Sequence, residues 1–510
     1  MHRSAWRTAL AITLGAGALR LFVAGMTPLF PDEAYYWEWS RRLAPGYFDH
    51  PPMIALLVRL GTLVAGDTPL GVRVGSVVVS LTGALILAAC ARRIAGDRAA
   101  LVAAIVFAVM PLAAAGLVLA TPDAPLLATA AATLWALLRV LQTTPRSRES
   151  LTWWGVTGAF LGLALVSKYM GVLIPLGVLI AFAARRALRP RLAEPGPYVA
   201  TAIGAIVFAP VILWNATHGW ASFAFQLQHG FSGGLDTALR HELEFVGGQL
   251  GLASPVILVL LFVAIVAALR RQSDESNGDV RERNALLAIM SVTIFVFFMY
   301  SATRRRVEPN WPAVGYLPAV LLLSAYLGVA WKRWLTVGVS IGAVISIVAY
   351  VNAFTPILPV RAGRDPMARS AGWNALAAGM VRAILATPVD TARGQRGFVA
   401  ADNYQAASEL AFHLPGHPEV YALNLAGRPN QYDFWPSFSD RARVGDVLWL
   451  ALDDADRPAA IDSLAPHFGS VAAIARVSLE RGGDIVKFMR IWRLDAWRGT
   501  WPRRQLRSPP

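Results

Sequence analysis

The chain of 510 residues is 55% hydrophobic and only 15% charged, with a mean hydropathy of +0.48. A water-soluble globular protein carries nearer a quarter charged residues, so the composition excludes an ordinary soluble enzyme and indicates a polytopic membrane protein. The formal net charge of +15 raises the alternative of nucleic-acid binding. However, much of the basic excess lies at the ends of apolar segments, as cytoplasmic loops require, and we expect no nucleic-acid partner. A single cysteine, Cys90, excludes an intramolecular disulfide.

The apolar segments predict about eleven transmembrane helices, each long enough to cross about 30 Å of hydrocarbon. A cleaved signal peptide is the alternative for the first segment, but it leads directly into further spans, which favours an uncleaved anchor. With a cytoplasmic N-terminus, the clusters of arginine between spans fall on the inside, and the chain beyond the last span lies outside, in the periplasm. The expected spans lie near 8–25, 71–93, 98–116, 124–142, 151–167, 170–186, 198–215, 251–270, 284–301, 313–330 and 335–355.

We therefore predict a polytopic α-helical membrane domain over 1–355, with outer loops at 26–70 and 215–250, and a small soluble α/β domain over 356–510. In the second domain, alternating apolar residues predict three strands, and amphipathic patterns predict two helices. The strands are expected at 397–402, 419–424 and 446–452, the helices at 407–414 and 458–468. The basic end of the chain is expected to be disordered.

The first outer loop contains FPDEAYYWEWSRRLAPGYFDHPP over residues 30–52. Pro31 followed by Asp32 and Glu33 is a helix-start signal, and aromatic residues at helical spacing predict an amphipathic helix at the membrane interface. A second helix over 53–65 is expected after two prolines. The two acids have an ordinary interpretation as first-turn carboxylates. Asp49 and His50 lie in the same loop at the membrane surface. This clustering favours the alternative, in which one of the two acids is a general base for an acceptor hydroxyl.

The other polar residues of this loop also have two interpretations. Tyr35, Tyr36 and Trp39 are typical of an interfacial aromatic belt, or they stack on a sugar. Asp49 and His50 either complete a turn or bind a divalent cation and a phosphate.

Charged residues elsewhere on the predicted outer face extend the candidate site. Asp123 follows Thr-Pro in a complete helix start, and its side chain faces the same compartment as Asp32. Lys168 lies between two spans, where a buried lysine needs an anion or a route to the interface. A run of three arginines suits a phosphate, although lipid headgroup anchoring is the alternative. The run comprises Arg304, Arg305 and Arg306.

A P-loop, a GxGxxG turn and paired CxxC, which are typical of soluble enzymes, do not occur in the sequence. A lipid-linked sugar with one phosphate requires none of these. It requires an apolar groove, a few cations and a base, because a phosphate leaves readily when preorganised cations meet its charge.

Several of these segments together resemble integral-membrane glycosyltransferases of the GT-C fold. The resemblance is to the bacterial glycosyltransferase family 39-like group, which is akin to protein O-mannosyltransferases, lipid A aminoarabinose transferases and rhizobial lipopolysaccharide galacturonosyltransferases. It covers about 8–355. Two stretches beyond, NYQAASELAFHLPG and GRPNQYDFW, match only this bacterial subgroup. The motifs that carry it are the Asp-Glu pair, the YYW aromatic helix, GYFDHPP, TPDAPL, SKY and RRRVEPNWP.

The resemblance implies an inverting transfer of a sugar from a polyprenyl-phosphate donor to an envelope glycan, lipid or protein on the outer face of the bacterial cytoplasmic membrane. It implies Asp32 as the base with Glu33 beside it, and Asp123 as a supporting carboxylate. The cations, which would bind the donor phosphate, are His50, Lys168 and Arg304–Arg306. The side chains that would bind the acceptor are Tyr35, Tyr36, Trp39, Arg428, Asn430, Gln431 and Asp433.

No cofactor is certain, and a divalent metal ion is left open, with Asp49, His218 and His229 as its ligands. His50 replaces the lysine that the aminoarabinose transferases carry at that place. The main alternative function is a lipid or sugar transporter or flippase, which predicts inverted repeats and acids within the spans; a non-catalytic scaffold is a third. The clustering of the acids in outer loops favours the transferase.

Overall fold

The computed structural model describes residues 2–231, 237–270, 277–326, 331–425, 427–455 and 457–502, and side chains within these ranges except at 2–3, 229–231 and 457–459. Most of the chain is helical. The α-helices are α1 (His2–Met26), α2 (Pro31–Arg41), α3 (Met53–Ala65), α4 (Pro69–Val109), α5 (Pro111–Ala114), α6 (Asp123–Val140), α7 (Arg148–Ser167), α8 (Leu173–Ala184), α9 (Pro195–Thr217), α10 (Ala221–Phe231), α11 (Ala238–Ala253), α12 (Pro255–Arg270), α13 (Gly278–Ala302), α14 (Ala313–Tyr326), α15 (Lys332–Phe354), α16 (Trp373–Ala386), α17 (Tyr404–His413), α18 (Phe438–Arg441) and α19 (Arg457–Leu464). The strands are β1 (Gly397–Ala401), β2 (Val420–Ala422), β3 (Val447–Asp453), β4 (Ser470–Arg481) and β5 (Asp484–Asp495).

The chain divides into two compact units. The first unit contains Met1–Met26 and Leu43–Tyr350, and the second contains Thr27–Arg42 and Val351–Pro510. Helix α2 therefore belongs with the C-terminal part of the chain, whereas the sequence prediction assigned the whole loop 26–70 to the transmembrane domain.

Long apolar helices build the first unit. Within the described ranges, seven helices are long and apolar enough to cross a membrane, and an eighth span results if α11 and α12, which meet at 99°, are counted as one. Helix α4 runs for 41 residues but has non-helical backbone at Ala95 and Gly96, where the sequence predicted the break between two spans. The predicted segments at 170–186 and 313–330 contain shorter apolar helices. A multi-pass membrane protein is confirmed, while the count of eleven stays a prediction.

Small residues let these helices approach closely. An added Cβ at Gly158 of α7 would lie 2.3 Å from the carbonyl oxygen of Ala200 in α9. Apolar helices in lipid gain little from hydrophobic burial against each other, so such close backbone contact supplies van der Waals packing instead.

The second unit contains a five-stranded sheet with the order β2-β1-β3-β5-β4. The first three strands are parallel, and β5 runs antiparallel to β3 and β4. β1 to β3 lie where the sequence predicts strands, and β3 is buried almost throughout, as a central strand covered on both faces should be. The hairpin of β4 and β5 was not predicted. It turns at Gly482 and Gly483, whose φ angles of 61° and 90° fit a two-residue hairpin turn.

Helix α2 begins at the predicted proline, and α3 occupies the predicted residues. Nine of the eleven residues of α2 are buried. Its Trp37 ring lies edge-on to Phe412 of α17 at 5.2 Å. The helix is therefore a packed element of the second unit with covered aromatic side chains, and its place at the membrane interface stays a prediction.

Candidate active site

Asp32 is the exposed carboxylate of α2. Its side chain is 40% accessible, and it occupies the second position of the helix, where the helix dipole stabilises a negative charge. Arg369 Nη2 lies 3.3 Å from one carboxylate oxygen, and the Tyr404 hydroxyl lies 3.4 Å from the other. Arg428 Nη2 in turn lies 3.4 Å from the Tyr404 hydroxyl. At 3.3–3.4 Å these hydrogen bonds are long and therefore weak. They orient the Asp32 carboxylate and leave it accessible to a hydroxyl group.

Glu33, the neighbouring acid, has a different environment. Its side chain is buried, and Oε2 accepts the N–H of Phe30 at 2.9 Å. This contact caps the N-terminus of α2 by satisfying one of its unpaired donors. The structure therefore distinguishes two adjacent acids, of which one is accessible and the other closes the helix.

The third acid of α2, Glu38, forms ion pairs with two arginines at the end of this helix. Glu38 is buried, and its two carboxylate oxygens accept from Arg41 and Arg42, each at 2.8 Å. Burial raises the pKa of Glu38, and the two guanidinium groups oppose that rise. Arg42 also reaches Glu419 at 3.0 Å, so the end of α2 is tied to the sheet.

The aromatic residues predicted to bind the acceptor form a buried cluster. Tyr35, Tyr36 and Trp39 are at most 7% exposed. The Tyr35 ring lies 4.4 Å from that of Tyr404 and 6.0 Å from the parallel ring of Tyr432. These rings fix α2 against the C-terminal part of the unit, and a role in acceptor binding stays a prediction.

The predicted acceptor loop is attached to this cluster. The backbone N–H of Gln431 donates to the Tyr35 hydroxyl. Asp433 Oδ2 accepts the N–H of Asn430 at 2.9 Å, and both Asn430 and Gln431 are buried. Arg428 is exposed and lies over the Tyr404 ring at 5.5 Å. Of the four predicted loop residues, Arg428 therefore has the side chain best placed to meet a ligand near Asp32.

In the first unit, Asp123 and Lys168 form a buried ion pair. Lys168 Nζ donates to Asp123 Oδ1 at 2.8 Å, and each side chain is 8% exposed. Asn310 Nδ2 donates to Asp123 Oδ2, also at 2.8 Å. The predicted phosphate-binding lysine thus has a carboxylate partner already, and any anion must compete with Asp123 for it.

Asp49 and His50 are positioned by a turn that packs on α9 and α10. The N–H of Tyr47 donates to the carbonyl of His50 at 3.2 Å, and the side-chain amide of Gln226 donates to the carbonyl of Asp49 at 2.8 Å. A Cβ at Gly46 would lie 3.0 Å from the Trp214 ring, so the backbone of the turn packs closely against that ring. The Asp49 side chain itself is buried.

The predicted metal ligands are not gathered into a described site. His218 stacks on Trp214, and its Nδ1 lies 2.7 Å from the Trp214 carbonyl. The side chain of His229 lies outside the described residues. Over the ranges that the structure describes, no three His, Cys, Asp or Glu side chains are grouped as a metal would require. A metal ion with these ligands stays a prediction.

The three arginines lie next to an apolar groove. Within the first unit, a groove of about 420 Å³ is lined by α11, α12 and α13 together with Tyr316. The Tyr316 hydroxyl donates to Gln249 of the groove wall at 2.7 Å, and Gln249 donates to the carbonyl of Pro309 at 3.0 Å. Arg306 lies 3.9 Å from Glu244 of α11. The arginine segment therefore lies near Glu244 and directly follows α13, and α11 and α13 are two of the helices that line this apolar surface.

Sequence reasoning missed three residues that contact the candidate acids, Arg369, Tyr404 and Asn310. The first two contact Asp32 across more than 300 residues of sequence. Asn310 lies within the RRRVEPNWP motif, but nothing in that motif indicates a contact with Asp123.

Sequence reasoning also gave no site role to Lys487, which lies beside Asp453 and Trp373. One feature of the sequence could have drawn attention to Lys487: only three of the 47 lysine and arginine residues are lysines.

Comparison with known proteins agrees with this architecture. The sequence model of the dolichyl-phosphate-mannose-protein mannosyltransferase family matches residues 49–214. The lipid A galacturonosyltransferase RgtD of Rhizobium johnstonii is 27% identical over 456 residues, which cover 87% of this chain and 90% of RgtD.

Solved structures with the same fold include ArnT from Cupriavidus metallidurans, whose apo structure has a TM-score of 0.64 at 16% identity and covers 98% of this chain and 99% of ArnT. ArnT bound to undecaprenyl phosphate matches equally well. The archaeal oligosaccharyltransferase AglB from Archaeoglobus fulgidus has a TM-score of 0.52 at 12% identity, covering 89% of this chain and 69% of AglB. The chain therefore has the GT-C fold of these membrane glycosyltransferases.

Proposed function

We propose that the protein is an inverting glycosyltransferase that moves a sugar from a polyprenyl-phosphate donor to a hydroxyl group of an envelope acceptor on the outer face of the cytoplasmic membrane. Lipid A or lipopolysaccharide is the first acceptor to test, because the relative RgtD is a lipid A galacturonosyltransferase. Other envelope glycans, lipids and proteins follow.

The observation that carries the proposal is the apolar groove with arginines next to it. A polyprenyl phosphate is complementary to this arrangement, because it is a long apolar chain that ends in one anionic group. The groove exposes only apolar surface, and Arg305 and Arg306 follow α13, one of its walls. Guanidinium groups bind phosphate oxygens in a bidentate manner. The segment therefore supplies both the apolar surface and the cations that such a donor requires.

Asp32 supplies the base. In the reaction, the acceptor oxygen forms a bond to the anomeric carbon while the bond from that carbon to the phosphate oxygen breaks. The hydroxyl proton passes to Asp32, and the phosphate leaves with the bonding electrons. Arginines neutralise the developing charge of the phosphate, so the leaving group requires no protonation. One displacement of this kind inverts the anomeric configuration.

The buried ion pair of the first unit has a supporting role in this scheme. The Asp123–Lys168 pair holds the start of α6 next to the end of α7, and Asn310 joins the arginine segment to the same carboxylate. The arginines are thereby connected to a rigid part of the first unit. Rigid support of this kind matters because a displacement of about 1 Å in a catalytic group can reduce the rate about a hundredfold.

The test is transfer by the purified full-length protein in nanodiscs. Radiolabelled polyprenyl-phosphate sugars are offered with lipid A or an envelope extract, and the anomeric configuration of the product is determined by NMR. We expect a glycosidic bond of inverted configuration. Movement of the labelled donor across the bilayer without a new glycosidic bond would contradict the proposal and favour a flippase.

A second arm tests the groove. Val296 lines it and is 60% exposed, so Val296→Trp fills the groove without disturbing the core. We expect KM for a long-chain donor to rise about tenfold, which corresponds to about 60 Å² of lost apolar burial, with little change for a donor of one or two isoprene units. Ile206→Trp, at an exposed position of α9 outside the groove, is the matched control. An equal effect of both substitutions would contradict the assignment of the groove.

A further inference from the structure

A second cavity lies in the second unit, beside the start of α2. It has a volume of about 160 Å³, and Pro31, the residue before Asp32, forms part of its wall. At about 30 Å³ per water molecule, this space holds about five waters, or a phosphate group with part of the sugar that carries it. The cavity therefore has room for a substrate group close to the candidate base.

Two cations line this cavity, Arg369 and Lys487, and the residues of its lining, all of which lie in described ranges, include no carboxylate. Arg369 Nη2 lies 3.3 Å from Asp32, and its side chain is 58% exposed. Lys487 Nζ lies 3.6 Å from Asp453 and 4.9 Å from the centre of the Trp373 ring. Ion pairs this exposed contribute at most about 1 kcal/mol, so an oxyanion can displace them.

The start of α17 adds further donors to the same cavity. Asn403 and Gln405 line it, and Asn403 Oδ1 accepts the N–H of Ala406 at 2.9 Å. Because the carbonyl group of the Asn403 side chain is used in this cap, its NH₂ group is the part that can donate to a ligand. The N-terminus of the ten-residue helix also carries a partial positive charge. The cavity thus combines two cations, two amides and a helix N-terminus.

We propose that this cavity binds a phosphate or carboxylate group of the acceptor and thereby orients the hydroxyl group that Asp32 deprotonates. An anion that contacts a guanidinium and an ammonium group at once forms two charge-assisted hydrogen bonds. Arg369 contacts both the cavity and Asp32, so a bound anion lies within a few ångströms of the base, where the acceptor must be. The proposal rests on the proposed function and defines its acceptor as an anionic one.

The first test measures binding without catalysis. The chain has three lysines, Lys168, Lys332 and Lys487, of which Lys168 is buried and Lys332 is exposed. Full-length protein in nanodiscs is treated with an amine-reactive reagent, and modification of each lysine is followed by mass spectrometry. For a dissociation constant of about 1 mM, glucosamine 1-phosphate at about 10 mM slows modification of Lys487 about tenfold, with Lys332 unchanged. Glucosamine, which lacks the phosphate, gives no protection. Failure of glucosamine 1-phosphate to protect, or equal protection by both sugars, overturns the anion site.

The second test measures transfer to an acceptor with and without its anionic group. Lys487→Gln is expected to raise KM for the anionic acceptor about tenfold, a loss of about 1.4 kcal/mol, while kcat changes less than twofold. The variant Lys487→Arg restores a low KM because it keeps the cation. Lys332→Gln is the control for a lost positive charge outside the cavity. Unchanged KM in Lys487→Gln, or a raised KM for an anionic donor sugar instead of the acceptor, overturns the proposal.

The two tests separate this inference from the proposed function. Protection of Lys487 by phosphate with no transfer to any acceptor would reject the transferase but keep the anion site. Transfer by the wild-type protein without protection of Lys487 would keep the transferase and reject the anion site.

Discussion

The buried pair of Asp123 and Lys168 permits a quantitative prediction. Lys168 Nζ lies 2.8 Å from Asp123 Oδ1, and both side chains are 8% exposed. Removing one charge from such a pair leaves the other buried without its partner, which costs about 3–5 kcal/mol. At roughly 2 °C per kcal/mol for a large domain, we expect Lys168→Met to lower the apparent melting temperature by about 6–10 °C.

The geometry also predicts the effect of Asp123→Asn. Both oxygens of the carboxylate accept hydrogen bonds, one from Lys168 and one from Asn310. An asparagine replaces one of these oxygens with an NH₂ group, which then faces a donor whichever way the amide is turned. The single substitution is therefore destabilising. The double variant Asp123→Asn with Lys168→Met loses the same ion pair as either single variant and leaves no unpaired buried charge.

The assay is a double-mutant cycle of thermal unfolding in detergent, followed by tryptophan fluorescence at one scan rate. We expect each single variant to melt well below the wild type, and the double variant to melt closer to the wild type than the sum of both losses implies. Additive losses in the double variant would refute a direct interaction between the two side chains. An unchanged melting temperature in Lys168→Met would refute the burial of its charge.

Two further predictions concern packing in each unit. Gly158→Ala places a Cβ 2.3 Å from the Ala200 carbonyl oxygen, whereas Gly155→Ala, on the same helix, meets only a side chain at 3.4 Å. We expect Gly158→Ala to lower the free energy of unfolding by about 1–3 kcal/mol and the variant to melt several degrees below Gly155→Ala. Equal melting temperatures would contradict the close contact of α7 and α9. Tyr35→Phe removes the hydroxyl that accepts the N–H of Gln431. Because a buried donor is left unpaired, we expect the protein to lose about 1–3 kcal/mol of stability and hydrogen exchange at the Gln431 amide to become faster. Unchanged exchange would contradict this contact.

Local sequence signals predicted many element positions correctly. Pro31 begins α2, and α3 covers Met53–Ala65 as expected, because proline and the apolar period act within a few residues. The break in α4 falls at Ala95 and Gly96, between two predicted spans. The first three strands also lie where alternation and apolar runs indicated them. The GT-C fold class, expected from the motifs, is confirmed.

Contacts between distant segments could not be derived from the sequence. Nothing local to Asp32 indicates that Arg369, 337 residues away, would contact it, because such contacts depend on how the two segments pack. For the same reason the aromatic residues of α2, which have the composition of an interfacial belt, were not expected to be covered by α17. The hairpin of β4 and β5 did carry a local signal, Gly482-Gly483, between two segments that each contain β-branched residues.

The candidate site was predictable in its residue types more than in its pairings. A lysine and an acid were expected near a phosphate, whereas the structure pairs Lys168 with Asp123. Asp32 and Glu33 are indistinguishable by sequence, yet their exposure separates them: Asp32 is 40% accessible, and Glu33 is buried as a cap. This difference is the basis for choosing Asp32 as the base.

The most direct test of that choice is the single-turnover rate of sugar transfer by Asp32→Asn and Glu33→Gln in nanodiscs with saturating donor. Glutamine at position 33 keeps an acceptor oxygen for the Phe30 N–H, whereas asparagine at position 32 removes the base. We predict that the Asp32 variant loses at least about a hundredfold in rate, as removal of a general base does, and that the Glu33 variant stays within about tenfold of the wild type. A wild-type rate in Asp32→Asn, or a larger loss in Glu33→Gln, would contradict the assignment of Asp32 as the catalytic base.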